Sequence, residues 1–149
     1  MGADLYINTL YQPNRQKWDP EFKKAIPLRD SLAPGTLEHS QAQEQVEECY
    51  NKLRGRGYFR DPYNDYDLLW KFGLSWWTDV VPMLNADNQL SAEQAEVLLA
   101  MLKERTGVFQ EKLAELTPRD RRYFLDAYAE LQKFLNEAIE LKTLIDASL

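Results

Sequence analysis

The chain has 149 residues, 44% of them hydrophobic, with four Trp; this is one domain's worth of sequence with enough apolar material for a core, which excludes a disordered chain. A formal net charge of −6 speaks against duplex nucleic acid and anionic membranes, which attract Lys and Arg, and leaves another protein or a small ligand as the partner. A lone Cys49 excludes an intramolecular disulfide and a cysteine zinc site. No apolar run reaches eighteen residues, the length a membrane-spanning helix needs. The start lacks the basic, then apolar, then small-residue order of a secretory signal. A cytoplasmic protein is expected.

In chain order, residues 3–11 alternate as a strand does, with Leu5, Ile7 and Thr9 on one face and Asp4, Tyr6 and Asn8 on the other. A single strand has no partner, so an extended arm over 1–13 is predicted, ended by Gln12-Pro13-Asn14. Asp19-Pro20-Glu21 starts a helix, with a capping carboxylate and proline at the first position. Trp18, Phe22, Ala25, Arg29 and Leu32 share one face of it, and Pro27 kinks or shortens it. After the turn at Ala33-Pro34-Gly35, a second helix over 36–57 places Ala42, Val46, Cys49 and Leu53 on an apolar stripe. Gly55 and Gly57 end it, with Arg54 and Arg56 at the negative end of its dipole.

Residues 58–77 hold Tyr58, Phe59, Tyr63, Tyr66, Trp70, Phe72, Trp76 and Trp77, with Asp61, Asn64, Asp65 and Asp67 threaded between them. A third helix begins at Leu68, and Gly73 interrupts or bends it. Counted from Asp65, Leu69, Phe72 and Trp76 fall on one face and Trp70 and Trp77 on another, the pattern of an enclosed central helix. Asn64 or Asp65 would cap it. Ser91, with Gln94 three residues on, forms a capping box for a fourth helix that turns Ala95, Leu98, Leu99 and Leu102 inward. Thr117-Pro118 starts a long C-terminal helix over 118–147, whose inward set is Ala127, Leu131, Phe134, Ala138, Leu141 and Ile145. The sum is an all-α, single-domain bundle over 1–149 of five or six helices.

The chemistry-bearing residues concentrate in the aromatic stretch. Sugar faces stack on aromatic rings, and paired carboxylates flanking a glycosidic bond hydrolyse it. Arg56, Tyr58, Asp61, Tyr63, Asp65, Asp67, Trp70 and Trp77 are therefore the candidate ligand-binding residues. The competing assignment is a core in which those carboxylates hold buried indole N–H and phenol groups. Asn85, Asp87, Gln89 and Glu96 stand at positions one, three, five and twelve of a calcium loop, but Leu90 occupies the place of the turning glycine. Arg119, Arg121 and Arg122 follow a helix start, where cations are disfavoured, which hints at a partner or a fixed acidic neighbour.

His39 is the only histidine, so metal sites needing two are excluded. On one helix, its ten-residue separation from Cys49 is about 15 Å, too far for a Cys–His pair. No nucleophile elbow, phosphate loop or dinucleotide fingerprint occurs, and no cofactor is expected. A non-enzymatic acidic domain that binds a partner protein, as an inhibitor or immunity-type regulator does, is the leading expectation. A glycan or small-ligand binder or hydrolase using 58–77 and a calcium-binding domain using 85–96 are the alternatives.

Overall fold

The computed structural model describes residues 1–54 and 56–149, apart from the side chains of Leu53 and Arg54. The roles predicted for Leu53, Arg54 and Gly55 lie outside the described residues. The chain forms two compact units, Met1–Ile7 with Phe59–Leu149, and Asn8–Tyr58.

The all-α expectation is overturned: the chain is 66% helical and also carries a four-stranded antiparallel sheet. Its strands lie in the order β2 (Tyr58–Pro62), β1 (Gly2–Tyr6), β4 (Ile145–Ser148), β3 (Gln89–Leu90). β1 (Gly2–Tyr6) shows the alternation read from the sequence, with Ala3 and Leu5 buried between half-buried neighbours. Of the predicted arm over 1–13, Gly2–Tyr6 is a strand because partners exist for it, and from Asn8 onward the chain is helical. β4 (Ile145–Ser148) pairs with it antiparallel, Leu5 opposite Ala147, and β3 (Gln89–Leu90) pairs in turn with β4.

On the other side lies β2 (Tyr58–Pro62), whose Arg60 guanidinium donates to both carboxylate oxygens of Asp4 at 2.9 and 2.8 Å. The Tyr63 N–H donates to the Met1 carbonyl. A Cβ on Gly2 would stand 2.7 Å from the Asp61 carbonyl oxygen, so glycine is what lets the two strands close up there.

The predicted helix over 118–147 also ends early. α6 runs over Pro118–Leu141 and stops where Lys142 enters the left-handed region, φ 51° and ψ 44°. Ile145 fits the helical stripe by spacing yet is buried in β4, while Leu141, expected inward, is exposed. Periodicity alone does not locate a helix end when the next strand begins with an apolar residue in phase.

The core of this unit is built from α3 (Leu68–Lys71), α4 (Ala92–Glu104), α5 (Thr106–Ala114) and α6. Ala95, Leu98, Leu99 and Leu102 of α4 are buried as their spacing predicted. Phe72 stacks on Phe109 at 4.2 Å and 7°, and Tyr128 closes on both at 4.9 and 5.5 Å. Ser91 and Thr117 accept from the Gln94 and Asp120 amides as the predicted caps of α4 and α6.

The second unit is a helical hairpin of α1 (Asn8–Asp30) and α2 (Leu37–Arg54). Ala25, Val46 and Cys49 form its buried cluster, with Phe22 and Ile26 against them. α1 begins at Asn8, not near Asp19, and runs through Pro13, Pro20 and Pro27. The three prolines recur every seven residues, so they share one face, and all are exposed. The carbonyls they leave without an amide donor belong to Thr9, Gln16 and Lys23, exposed residues open to water. Among the described residues no helix is long and apolar enough to cross a membrane.

Candidate functional site

The alternation of β2 turns Phe59 and Asp61 inward. Asp61 is the buried charged residue of the described core, and its oxygens are filled. Oδ1 accepts from the Leu68 amide at 2.7 Å, and Oδ2 accepts from the Leu69 amide at 3.2 Å and the Trp76 indole Nε1 at 2.7 Å. One carboxylate thus ties β2 to the start of α3 and to the next aromatic turn. Burial pushes its pKa up, to about 7, against the pull of the Leu68 amide and the Trp76 indole; the Asp67 charge pushes the same way as burial. These bonds are the assignment in which carboxylates hold the aromatic core.

The stretch is not one enclosed helix. α3 is a single turn capped by Asp67, which accepts from the Trp70 amide at 3.1 Å. Asn64, one of the predicted caps, instead accepts from the Tyr66 amide at 2.8 Å. Gly73 at φ 71° stops the helix, and a separate π-helical turn, Trp76–Val80, follows with Ser75 as its cap. The rings therefore divide. Phe59, Phe72 and Trp76 are buried, whereas Trp70 is 66% and Trp77 57% exposed.

The remaining candidates scatter. Tyr63 lies against Trp77 with ring centroids 6.2 Å apart, and its buried hydroxyl has no hydrogen-bond partner among the described residues. Burial, then the charges of Asp67, Asp61 and Asp4, push the Tyr63 phenol above its ordinary pKa. Asp65 is exposed. Arg56, also exposed, and Tyr58 belong to the Asn8–Tyr58 unit, where Tyr58 stacks on Tyr11 at 5.7 Å.

At the calcium-loop positions, Asn85 Oδ1 accepts from the Asp87 and Gln89 amides, both at 2.9 Å, and Asn85 Nδ2 donates to Gln89 Oε1. Gln89 Nε2 donates to Asp146 of β4. Asn88 at φ 57° turns the chain in place of a glycine. The amides of this loop shape a turn leading into β3. Glu96 lines a groove of about 330 Å³ with Ser91, Glu93 and Lys142. Among the described residues no three His, Cys, Asp or Glu side chains converge as a metal site.

A grouping absent from the predicted site forms where the 62–66 loop meets the first turns of α6. Pro62, Asn64, Tyr66, Arg119, Asp120 and Tyr123 line an open groove of about 390 Å³. The Tyr66 hydroxyl donates to Asp120 Oδ1 at 3.3 Å. The sequence signal for it was the arginine run at a helix start. Arg121 reaches back to the Leu116 carbonyl and Arg122 pairs with Asp126, while Arg119 is left to the groove. No protein-family model matches the chain, and no curated protein or solved structure matches it either.

Proposed function

We propose that the protein is a non-enzymatic interaction module, of the inhibitor or immunity-type kind, that binds a partner protein through the exposed rings of Trp70 and Trp77. The observation behind this reading is two indoles, each more than half exposed, on a segment that Asp61 pins through the Leu68 and Leu69 backbone amides and the Trp76 indole. Covering the exposed part of each ring would contribute roughly 2–3 kcal/mol. A pinned backbone keeps the ordering cost of binding low. The net charge of −6 favours a basic partner. Catalysis has less support: the carboxylate most perturbed by its surroundings, Asp61, spends its acceptor positions on the fold. The proposal includes a cytoplasmic setting, where the single thiol of Cys49 stays reduced.

Affinity capture with the whole chain and with a Trp70→Ala/Trp77→Ala variant tests the reading. The wild-type chain should retain a basic protein in stoichiometric amount and the variant should lose it, with the circular dichroism of the two chains alike. Recovery of background alone, or equal recovery by both, defeats the proposal.

A further inference from the structure

We infer that the groove between the 62–66 loop and the start of α6 binds a neutral pyranose sugar. The inference does not depend on the protein-partner reading, since neither Trp70 nor Trp77 lines the groove.

Among its lining residues is a tyrosine held from several sides. Tyr66 stacks on the buried ring of Phe124 at 6.0 Å and 19°, and meets Tyr123 edge-on at 5.0 Å and 74°. Its hydroxyl is bonded to Asp120 and its amide to Asn64 Oδ1. Asp120 is itself placed by its amide, which donates to the capping Thr117 hydroxyl at 3.2 Å. Tyr66 nevertheless stays 36% and Tyr123 41% exposed. An aromatic surface that is open to water yet already ordered loses little entropy when a ligand covers it.

The polar rim selects the chemistry. Arg119 offers only donors, and Asn64, its carbonyl occupied by Tyr66, offers its NH₂. Asp120, with one oxygen occupied, offers the other as an acceptor. A ligand with donors and acceptors side by side satisfies this set. A phosphate or carboxylate would face Asp120, and an ammonium would face Arg119. Hydroxyl groups both donate and accept, and the C–H face of a pyranose ring lies flat on an aromatic face. The volume of about 390 Å³ is within the range of small-ligand sites. Asp120 is the carboxylate lining the groove, whereas glycoside hydrolysis uses a flanking pair, so the site recognises without cleaving.

Saturation-transfer NMR on the full chain tests this, using glucose, galactose, N-acetylglucosamine and maltose, with inorganic phosphate titrated in parallel. Transfer to the ring C–H protons of at least one sugar is expected, with affinity falling at least fivefold in Arg119→Ala and in Asp120→Asn. Arg119 is exposed, so its variant keeps the fold and the test stands even if Tyr66→Ala does not fold. No transfer from any of the four sugars overturns the inference. So does tighter binding of phosphate than of every sugar, or transfer that survives both substitutions.

Discussion

In the unit of Met1–Ile7 and Phe59–Leu149, buried side chains are large and meet ring on ring, as where Phe72 lies on Phe109 with Tyr128 across both. Among the described residues of the Asn8–Tyr58 unit, the buried hydrophobic ones are Ala25, Ala42, Val46 and Cys49, all small. There α1 and α2 add half-exposed contacts: Asp19 with Lys23, Glu48 with Lys52, and the Lys17 and Lys52 ammonium groups 5.1 and 4.7 Å from the Trp18 ring. Exposed ion pairs contribute little, because water competes for both charges. A helical hairpin and a mixed helix-and-sheet unit of one chain thus differ in what holds them, since apolar area removed from water sets the larger share of stability. The ring-packed unit should be the more stable, and the hairpin should open first on heating.

The largest test of that difference is Phe72→Ala against Val46→Ala. Phe72 is fully buried, and its truncation should cost about 3–5 kcal/mol by loss of transfer energy and an unfilled cavity. Val46→Ala should cost roughly 1.5–2 kcal/mol and lower only the first transition in calorimetry. A single transition shifted by equal amounts in both variants would erase the comparison.

A second test concerns the carboxylate that organises the aromatic segment. Asp61 rises from its ordinary 3.8 to about 7 in the folded chain. Between those values the native state holds a proton that the unfolded state has lost, so stability falls as pH rises from about 4 to about 7 and levels off above. The loss through this group should reach at most about 4 kcal/mol. Denaturant melts at pH 5 and pH 8 measure it. In Asp61→Asn this pH dependence should vanish, and the chain should be weaker at both pH values by roughly 2–3 kcal/mol, because the carboxamide places an N–H₂ where N–H donors need an acceptor. Stability rising from pH 5 to pH 8 in the wild-type chain alone would contradict the assignment.

The smallest expected effect lies on the exposed face of α1. Pro20→Ala returns an amide able to donate to the Gln16 carbonyl and removes a ring clash, worth roughly 1–2 kcal/mol after allowing for a freer unfolded chain. The hairpin transition should move up while the ring-packed unit stays unchanged. A downward shift would show that the prolines, spaced by seven, shape α1 in a way alanine cannot replace.

Local chemistry was legible where a short pattern fully specifies an outcome. Ser91 and Thr117 cap as predicted, Gly73 stops its helix, and the stripe Ala42, Val46, Cys49 is buried. The pattern misled where two structures share it. Ile145 satisfies a helical stripe and a strand equally, and the two-residue β3 spans a single strand period, too short to show an alternation. Pro13 and Pro20 looked like a terminator and a first-turn residue, yet both sit inside α1 with their orphaned carbonyls open to water.

The candidate site divided for a related reason. Trp76 and Trp77 are neighbours in sequence, but one is buried and donates its indole N–H to Asp61 while the other is more than half exposed. Tyr66 and Asp120 are 54 residues apart and meet only when the 62–66 loop reaches α6.

Composition by itself determined the acidic character and the concentration of rings in 58–77, and spacing determined the caps of α4 and α6 and most of the inward faces, because a cap or a face depends on residues within a few positions of one another. Tertiary structure alone decided that the N-terminal segment is a sheet strand, which aromatic rings are core and which are surface, and that a tyrosine and an aspartate from distant segments share one groove. Those outcomes depend on which distant groups arrive to supply a hydrogen bond or cover a ring, and no local pattern encodes that arrival.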